Sequence, residues 1–147
     1  MYQAKQSIYI QPDNFDANYL LARIYANLGK YSQAIEYCKR ASKVDSMSVL
    51  PDYLQAQIAT EQGELETAKI LLNRIICICP SFVSAYLELG NIYNKEGKLK
   101  RAITMYNSSY EILIRLPPNT PIEQHGKMTA SQVLLDVKKQ LLILQTK

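Results

Sequence analysis

Few side chains in this sequence have the type and spacing that reaction chemistry demands. Three cysteines, Cys38, Cys77 and Cys79, are an odd count in a chain that needs no disulfide staples. Cys77 and Cys79 form a C-x-C near the end of an expected helix, where residues two apart do not face each other. The single histidine, His125, lies far away in sequence, so no zinc site is expected. Ser108 and Ser109 fall on a helix with His125 beyond a proline-rich stretch, an arrangement that offers no nucleophile and base of defined geometry. Glu61, Glu64 and Glu66 surround a turn and read as a solvated acidic loop. No glycine-rich cofactor loop follows a strand pattern, and no strand pattern is visible. The expectation is a chain with no catalytic residue, no metal ligand and no cofactor.

Composition narrows the alternatives. The 147 residues are 48% apolar, enough for one packed domain. The formal charge of +4 comes from basic residues scattered singly among acidic ones, with no stripe for nucleic acid. Eleven tyrosines without tryptophan invite a base-stacking reading. Tyr25, Tyr31, Tyr93 and Tyr106, however, sit at packing positions, and few basic residues flank the remaining rings. No leader-like start and no bilayer-length apolar run is present, which points to a cytoplasmic protein without membrane insertion.

The elements that must position these side chains announce themselves by a period. Glycine recurs at Gly29, Gly63 and Gly97, and alanine recurs five residues later at Ala34, Ala68 and Ala102, a repeat of thirty-four residues. A fixed period of that length marks a stacked two-helix unit. Tyr19, Leu21, Ala22, Tyr25 and Leu28 recur at three and four, a helical apolar face. Gly29 then releases the chain, and a second helix is predicted over 31–44 with Tyr31, Ala34, Ile35, Cys38 and Ala41 toward its partner. The unit returns over 49–82 and again over 83–116, after a first copy over 15–48. Aligning the glycines brings Ala22, Ala56 and Gly90 into register, small residues that let helices approach closely. Pro51 falls early in a first helix, where a missing amide donor is tolerated, and 46–49 reads as an irregular joint. Cys38 takes a large-residue packing place and is expected buried and inert.

The ends differ from the repeats. Residues 1–12 read as the last turns of a preceding helix closed by Pro12, so the chain is expected to begin inside a longer protein. Pro117, Pro118 and Pro121 make 117–127 an ordered turn or loop. A last helix over 128–145 carries Val133, Leu134, Val137, Leu141 and Leu144 on one stripe, suited to cap the exposed end of an open stack.

Leu21, Ala22, Tyr25, Gly29, Tyr31, Ala34, Cys38 and Ala41, with Tyr86, Leu89, Gly90, Tyr93, Gly97, Leu99, Ala102 and Tyr106, resemble the tetratricopeptide repeat over about two thirds of the chain. The second copy departs more, with Gln55 and Ala59 in the leucine and aromatic places. The resemblance implies one all-α domain over 1–147, a right-handed superhelix of antiparallel helix pairs with a C-terminal cap. A narrower similarity rests on the run 54–116, the Glu61, Gln62, Gly63 turn, the Cys79, Pro80, Ser81, Phe82, Val83 link, and Pro121, Gly126, Thr129 and Ala130. These residues resemble the repeat domain behind the catalytic domain of some bacterial chemotaxis-receptor methyltransferases, though Ile76 and Ile78 replace an aromatic and an acidic residue frequent there. That similarity implies a non-catalytic adaptor for a protein-glutamate methyltransferase, with S-adenosylmethionine bound elsewhere and a chemoreceptor or signalling protein as partner.

In tetratricopeptide proteins the first helix of each unit lines a concave face. Carried over residue by residue, the inner positions are Asp16, Tyr19, Arg23, Ala26 and Asn27; Leu50, Tyr53, Gln57, Thr60 and Glu61; and Ser84, Leu87, Asn91, Asn94 and Lys95. Tyr19, Tyr53, Arg23, Gln57 and Asn91 suit a groove that grips an extended or helical peptide, since Tyr and Arg combine apolar area with a polar tip. Tyr19 and Tyr53 equally suit covering the helix junctions. The lysine and asparagine cluster that some members use for chaperone carboxylate ends is missing. A second functional reading is a self-associating structural module that swaps 1–10 or the helix from Thr129 onto another copy.

Overall fold

The structure, a computed structural model, describes residues 14–146; the helix expected over 1–12 lies outside them. The described residues form seven α-helices: α1 Phe15–Asn27, α2 Tyr31–Val44, α3 Leu50–Glu61, α4 Leu65–Ile78, α5 Val83–Lys95, α6 Leu99–Leu113 and α7 Ala130–Gln145, with a 3-10 turn Glu123–His125 before α7. The pairs α1/α2, α3/α4 and α5/α6 pack most extensively, giving the expected all-α arrangement of antiparallel helix pairs. Two compact units result, one ending at Ile78 and one starting at Cys79.

Each pair is closed by the same hinge. Gly29, Gly63 and Gly97 take φ of 75°, 76° and 75°, the left-handed region that opposes a side chain. At each, two backbone bonds complete the cap, Gly29 N–H to Ala26 O and Lys30 N–H to Tyr25 O in the first copy, satisfying carbonyls that the helix end leaves open. Gly63 with Glu64 and Gly97 with Lys98 repeat that pattern residue for residue. The second helix then starts within two residues of the glycine, which forces the partners antiparallel.

In the first unit, Leu21, Tyr25, Ala34 and Ile58 form a buried cluster with Tyr31, Ile35 and Leu54 against it. The joint at 46–49 is irregular as expected: Asp45 Oδ1 accepts from Met47 N–H and Ser48 Oγ from Leu50 N–H, and Pro51 falls in the first turn of α3. In the second unit, α7 lays its stripe on α6, so that Val133, Val137, Leu141 and Leu144 join Ala102, Tyr106 and Leu113 in one core. Leu134 is only half-buried at its edge.

The proline-rich connection before α7 is held by backbone bonds. Ile122 N–H reaches Met128 O at 3.0 Å and Ala130 N–H reaches Thr120 O at 2.7 Å. Gly126 turns the chain at φ 68°. The helix starts at Ala130 rather than 128, because Thr129 caps it: its hydroxyl accepts from Gln132 N–H while Gln132 Oε1 accepts from Thr129 N–H, a reciprocal capping box.

Candidate functional site

The expected inner positions on α1 recur at three and four residues, which sets them on one face of the helix. Asp16, Arg23 and Asn27 are exposed and Tyr19 is half-buried. The Arg23 guanidinium lies over the Tyr19 ring at 5.9 Å from its centroid, and the Phe15 ring stacks with that tyrosine at a centroid separation of 6.0 Å. A ring in contact with both a cation and a second ring presents a preformed polar-tipped platform. Burial raises the Tyr19 phenol above its ordinary range, with Arg23 opposing the shift, so it remains a neutral donor and acceptor.

On α3 the expectation needs correction. Gln57 and Glu61 are exposed, but Tyr53, assigned to an exposed inner position, is only 5% exposed. A phenol ring is mainly apolar area and gains more from packing than from display, so Tyr53 is a buried residue of α3 and not a displayed anchor. Beside it sits a group that the sequence reading passed over. Asp52 is buried on α3 and its Oδ2 lies 3.2 Å from Nε of Arg74 on α4. Burial raises its carboxyl, and Arg74 pulls the other way. Cys38 on α2 is fully buried, and desolvation followed by the Asp52 charge pushes its thiol up to about 12. A buried thiol held in its protonated form is a poor nucleophile, in keeping with the packing place of Cys38. A lone aspartate in a first turn gives no local signal of a partner twenty-two residues on, since helical periodicity reports the face and not the neighbour.

In the second unit, Asn91 and Lys95 are exposed and Asn94 is half-buried on α5. Leu87, also assigned to the inner exposed set, is 7% exposed. The reason is α7, whose Val133 and Val137 share its cluster. Asn91 Oδ1 accepts from the Tyr106 hydroxyl, which fixes the amide so that Nδ2 points away from the ring. Tyr106 itself is buried against Gly90, which leaves room for the ring only because it lacks a Cβ.

His125 does not face Ser108 or Ser109. Its Nδ1 lies 3.0 Å from Ser84 Oγ on α5, a pairing forty-one residues apart that no local pattern reveals. The arrangement superficially resembles a nucleophile and its base, yet Ser84 is 1% exposed, so no substrate carbonyl reaches its oxygen. Burial lowers the imidazole from its ordinary range while Asp136 acts in the opposite sense. The pair anchors the 3-10 turn to α5, and the His125 side chain lines a pocket of about 180 Å³. Leu87, Val133, Val137 and the Tyr106 ring form its apolar lining, and Asn91, Asp136 and Gln140 its polar edge.

Among the described residues no group of three or more His, Cys, Asp or Glu could hold a metal ion, and no helix is long and apolar enough to cross a membrane. The chemistry this arrangement supports is recognition by hydrogen bonds, ring contacts and shape.

Family models described as tetratricopeptide repeat match residues 4–36 and 83–112. Superkiller protein 3 of Schizosaccharomyces pombe (strain 972 / ATCC 24843) is 27% identical over 115 residues, which are 74% of this chain and 8% of that protein; the chain thus spans under a tenth of that relative's length. Among solved structures, the type III secretion translocator chaperone SycD of Yersinia enterocolitica superposes with a TM-score of 0.74 at 13% identity, over 92% of this chain and 86% of that one. MamA superposes with a TM-score of 0.67 at 22% identity, over 97% and 85%. The first TPR of Spaghetti (RPAP3), bound to the HSP90 peptide SRMEEVD, gives 0.62 at 17% identity, over 87% and 93%. By its repeat period, its glycine-capped helix pairs and these likenesses, the chain has an all-α tetratricopeptide-repeat fold.

Proposed function

We propose that this chain is a non-catalytic protein-binding module that grips an extended or helical polypeptide segment with the exposed faces of α1 and α3. The observation that carries the reading is the α1 face, where Arg23 lies over a Tyr19 ring already braced by Phe15. Anchors that are ordered before binding lose little freedom on contact, which is how a few Tyr and Arg side chains dominate recognition. Gln57 on α3 adds an exposed amide for backbone hydrogen bonds. The RPAP3 repeat domain of the same fold holds a peptide, which supports a peptide as the ligand class here.

The finer reading is an adaptor for a chemotaxis-type protein-glutamate methyltransferase, working in the cytoplasm on a chemoreceptor or signalling component. Its support is the residue resemblance through 54–116 and the 79–83 link. Tethering an enzyme near its target raises effective concentration without any new catalytic contact. The testing variant combines Tyr19→Ala, Arg23→Ala and Gln57→Ala, leaving buried Tyr53 intact. Partner recovery on beads should fall to background while far-UV circular dichroism stays unchanged; undiminished recovery rejects the assignment of that face.

A second reading, self-association through the last helix, is favoured by Leu135, Leu142 and Ile143, which are all at least half exposed on α7. Leu135 and Leu142 are two turns apart on one stripe. Light scattering of Leu135→Lys/Leu142→Lys against the parent decides it: an equal monomer mass for both excludes association through this stripe.

A further inference from the structure

The pocket bounded by α5, α6 and α7 holds more chemical detail than a packing defect would. Its volume of about 180 Å³ is the space of about six waters, below the roughly 300–1,000 Å³ of cofactor pockets. It is the scale of one extended side chain. Its buried lining is Leu87, Val133, Val137 and the Tyr106 ring, with half-buried His125 beside them, whereas its Asn91, Asp136 and Gln140 are exposed and form a polar mouth. Asp136 is exposed there. It forms no ion pair with any described lysine or arginine, and none of those residues lines the pocket. Gln140, one helical turn on from Asp136, adds an amide oxygen on the same edge. Asn91, whose oxygen is engaged by Tyr106, presents its Nδ2 donor.

We propose that this pocket receives the lysine or arginine side chain of a bound polypeptide. Its alkyl stem lies along Leu87, Val133 and Val137, and its cationic head meets Asp136 and the Gln140 amide oxygen. The Asn91 Nδ2 donates to a backbone carbonyl of the same polypeptide. An anionic side chain would meet the Asp136 carboxylate, whose electrostatic neighbour His125 is held toward its neutral form by burial, and a purely apolar one would leave the polar edge desolvated without partners. A basic side chain satisfies both halves, because its long stem buries while its head stays at the polar rim. The identity of the carrier as a polypeptide rests on the function proposed above; the preference for a cation rests on the pocket alone.

The test titrates the full ¹⁵N-labelled chain with four blocked tripeptides, acetyl-Ala-Xaa-Ala-amide, where Xaa is arginine, lysine, norleucine or glutamate. Arginine and lysine probes should saturate shifts of the Asn91 and Gln140 side-chain amides. Norleucine should bind at least tenfold more weakly, and glutamate should give no saturable shift. Asp136→Asn, at an exposed helical position, should weaken the arginine probe at least fivefold while leaving the norleucine probe and the remaining spectrum unchanged. Equal binding of norleucine and arginine overturns the proposal, as does an arginine affinity unaffected by Asp136→Asn, or an absence of saturable shifts at the two amides. These readouts need no natural partner, so failure of the Tyr19/Arg23/Gln57 variant to lose its partner would remove the α1 reading and leave the pocket result to be judged separately.

Discussion

Gly90→Ala should destabilise this protein although an alanine inside a helix normally does the opposite. Gly90 lies within α5, with ordinary helical backbone, so the intrinsic gain of the substitution is about 0.5–1 kcal/mol. A Cβ built there would come within 2.8 Å of Cε1, 2.9 Å of Cζ and 3.0 Å of Cδ1 of the Tyr106 ring, well inside the roughly 3.5–4.0 Å separation of carbons in contact. The ring has little room to yield, being 2% exposed, packed in the α6/α7 core and tied by its hydroxyl to Asn91. Overpacking of this kind costs about 1–3 kcal/mol, so the net expectation after the helical gain is a loss of up to about 2.5 kcal/mol. The register supplies its own rescue. Thirty-four residues earlier the equivalent positions are Ala56 and Leu72, so Gly90→Ala/Tyr106→Leu installs the second copy's combination in the third. Urea midpoints, read by far-UV circular dichroism, should show the double variant more stable than the sum of the single losses by at least about 1 kcal/mol. A Gly90→Ala midpoint at or above the parent, or an additive double variant, would refute the claim that Gly90 exists to admit the ring.

Three further outcomes follow from the same geometry. Ala at Gly29, Gly63 or Gly97 should each destabilise by about 1–2 kcal/mol, nearly equally, since none meets an atom within 4 Å and the effect is purely the positive φ; urea midpoints differing widely among the three would contradict a shared hinge. Under native conditions at pH 8, a thiol reagent should modify exposed Cys77 and leave Cys38 untouched until denaturant is added, because Cys38 is buried with its thiol held up to about 12; rapid native labelling of Cys38, located by peptide mass mapping, would show that its site opens. His125 is lowered on folding by desolvation, so below its ordinary value of about 6.5 the unfolded chain binds more protons than the folded one. Its contribution is therefore fully present above that pH and is lost as pH falls, and the stability of the parent should drop between pH 7 and 5 by more than that of His125→Gln.

The hinges were legible because their signal is local: a left-handed residue in a tight helical turn selects glycine, and three such turns produce three glycines at one spacing. The apolar stripe of α7 was legible for the same reason, since helical periodicity reports which side chains share a face. Tyr53 and Leu87 were misplaced because their exposure is decided by what covers them. Position 87 is equivalent to position 19 by register, yet Tyr19 remains half-open while Leu87 lies under Val133 and Val137 of a helix that begins forty-three residues later. Asp52 with Arg74 and Ser84 with His125 were invisible on the same ground: each is a pair of polar groups whose separate positions look unremarked until the backbone brings them within 3.2 Å and 3.0 Å.

Departures from the repeat therefore carry information that the repeat cannot. The equivalents of Asp52 are Asn18 and Tyr86, those of Tyr106 are Cys38 and Leu72, and those of Ser84 are Asp16 and Leu50. A helix pair needs none of these particular choices, because shared hinges and small residues at 22, 56 and 90 already permit close packing. Each departure instead answers a local neighbour: Arg74 for Asp52, Gly90 and Asn91 for Tyr106, His125 for Ser84. In the second unit two of these answers converge on one place, since Tyr106 orients the Asn91 amide and Ser84 positions His125 beside the pocket that Asp136 borders. Packing alone would be satisfied by a leucine at 106 and an apolar residue at 84. Hydrogen-bonding groups that orient other polar groups around one cavity suit the binding role proposed for that pocket, and under that proposal specificity lies in the side chains where the repeats differ.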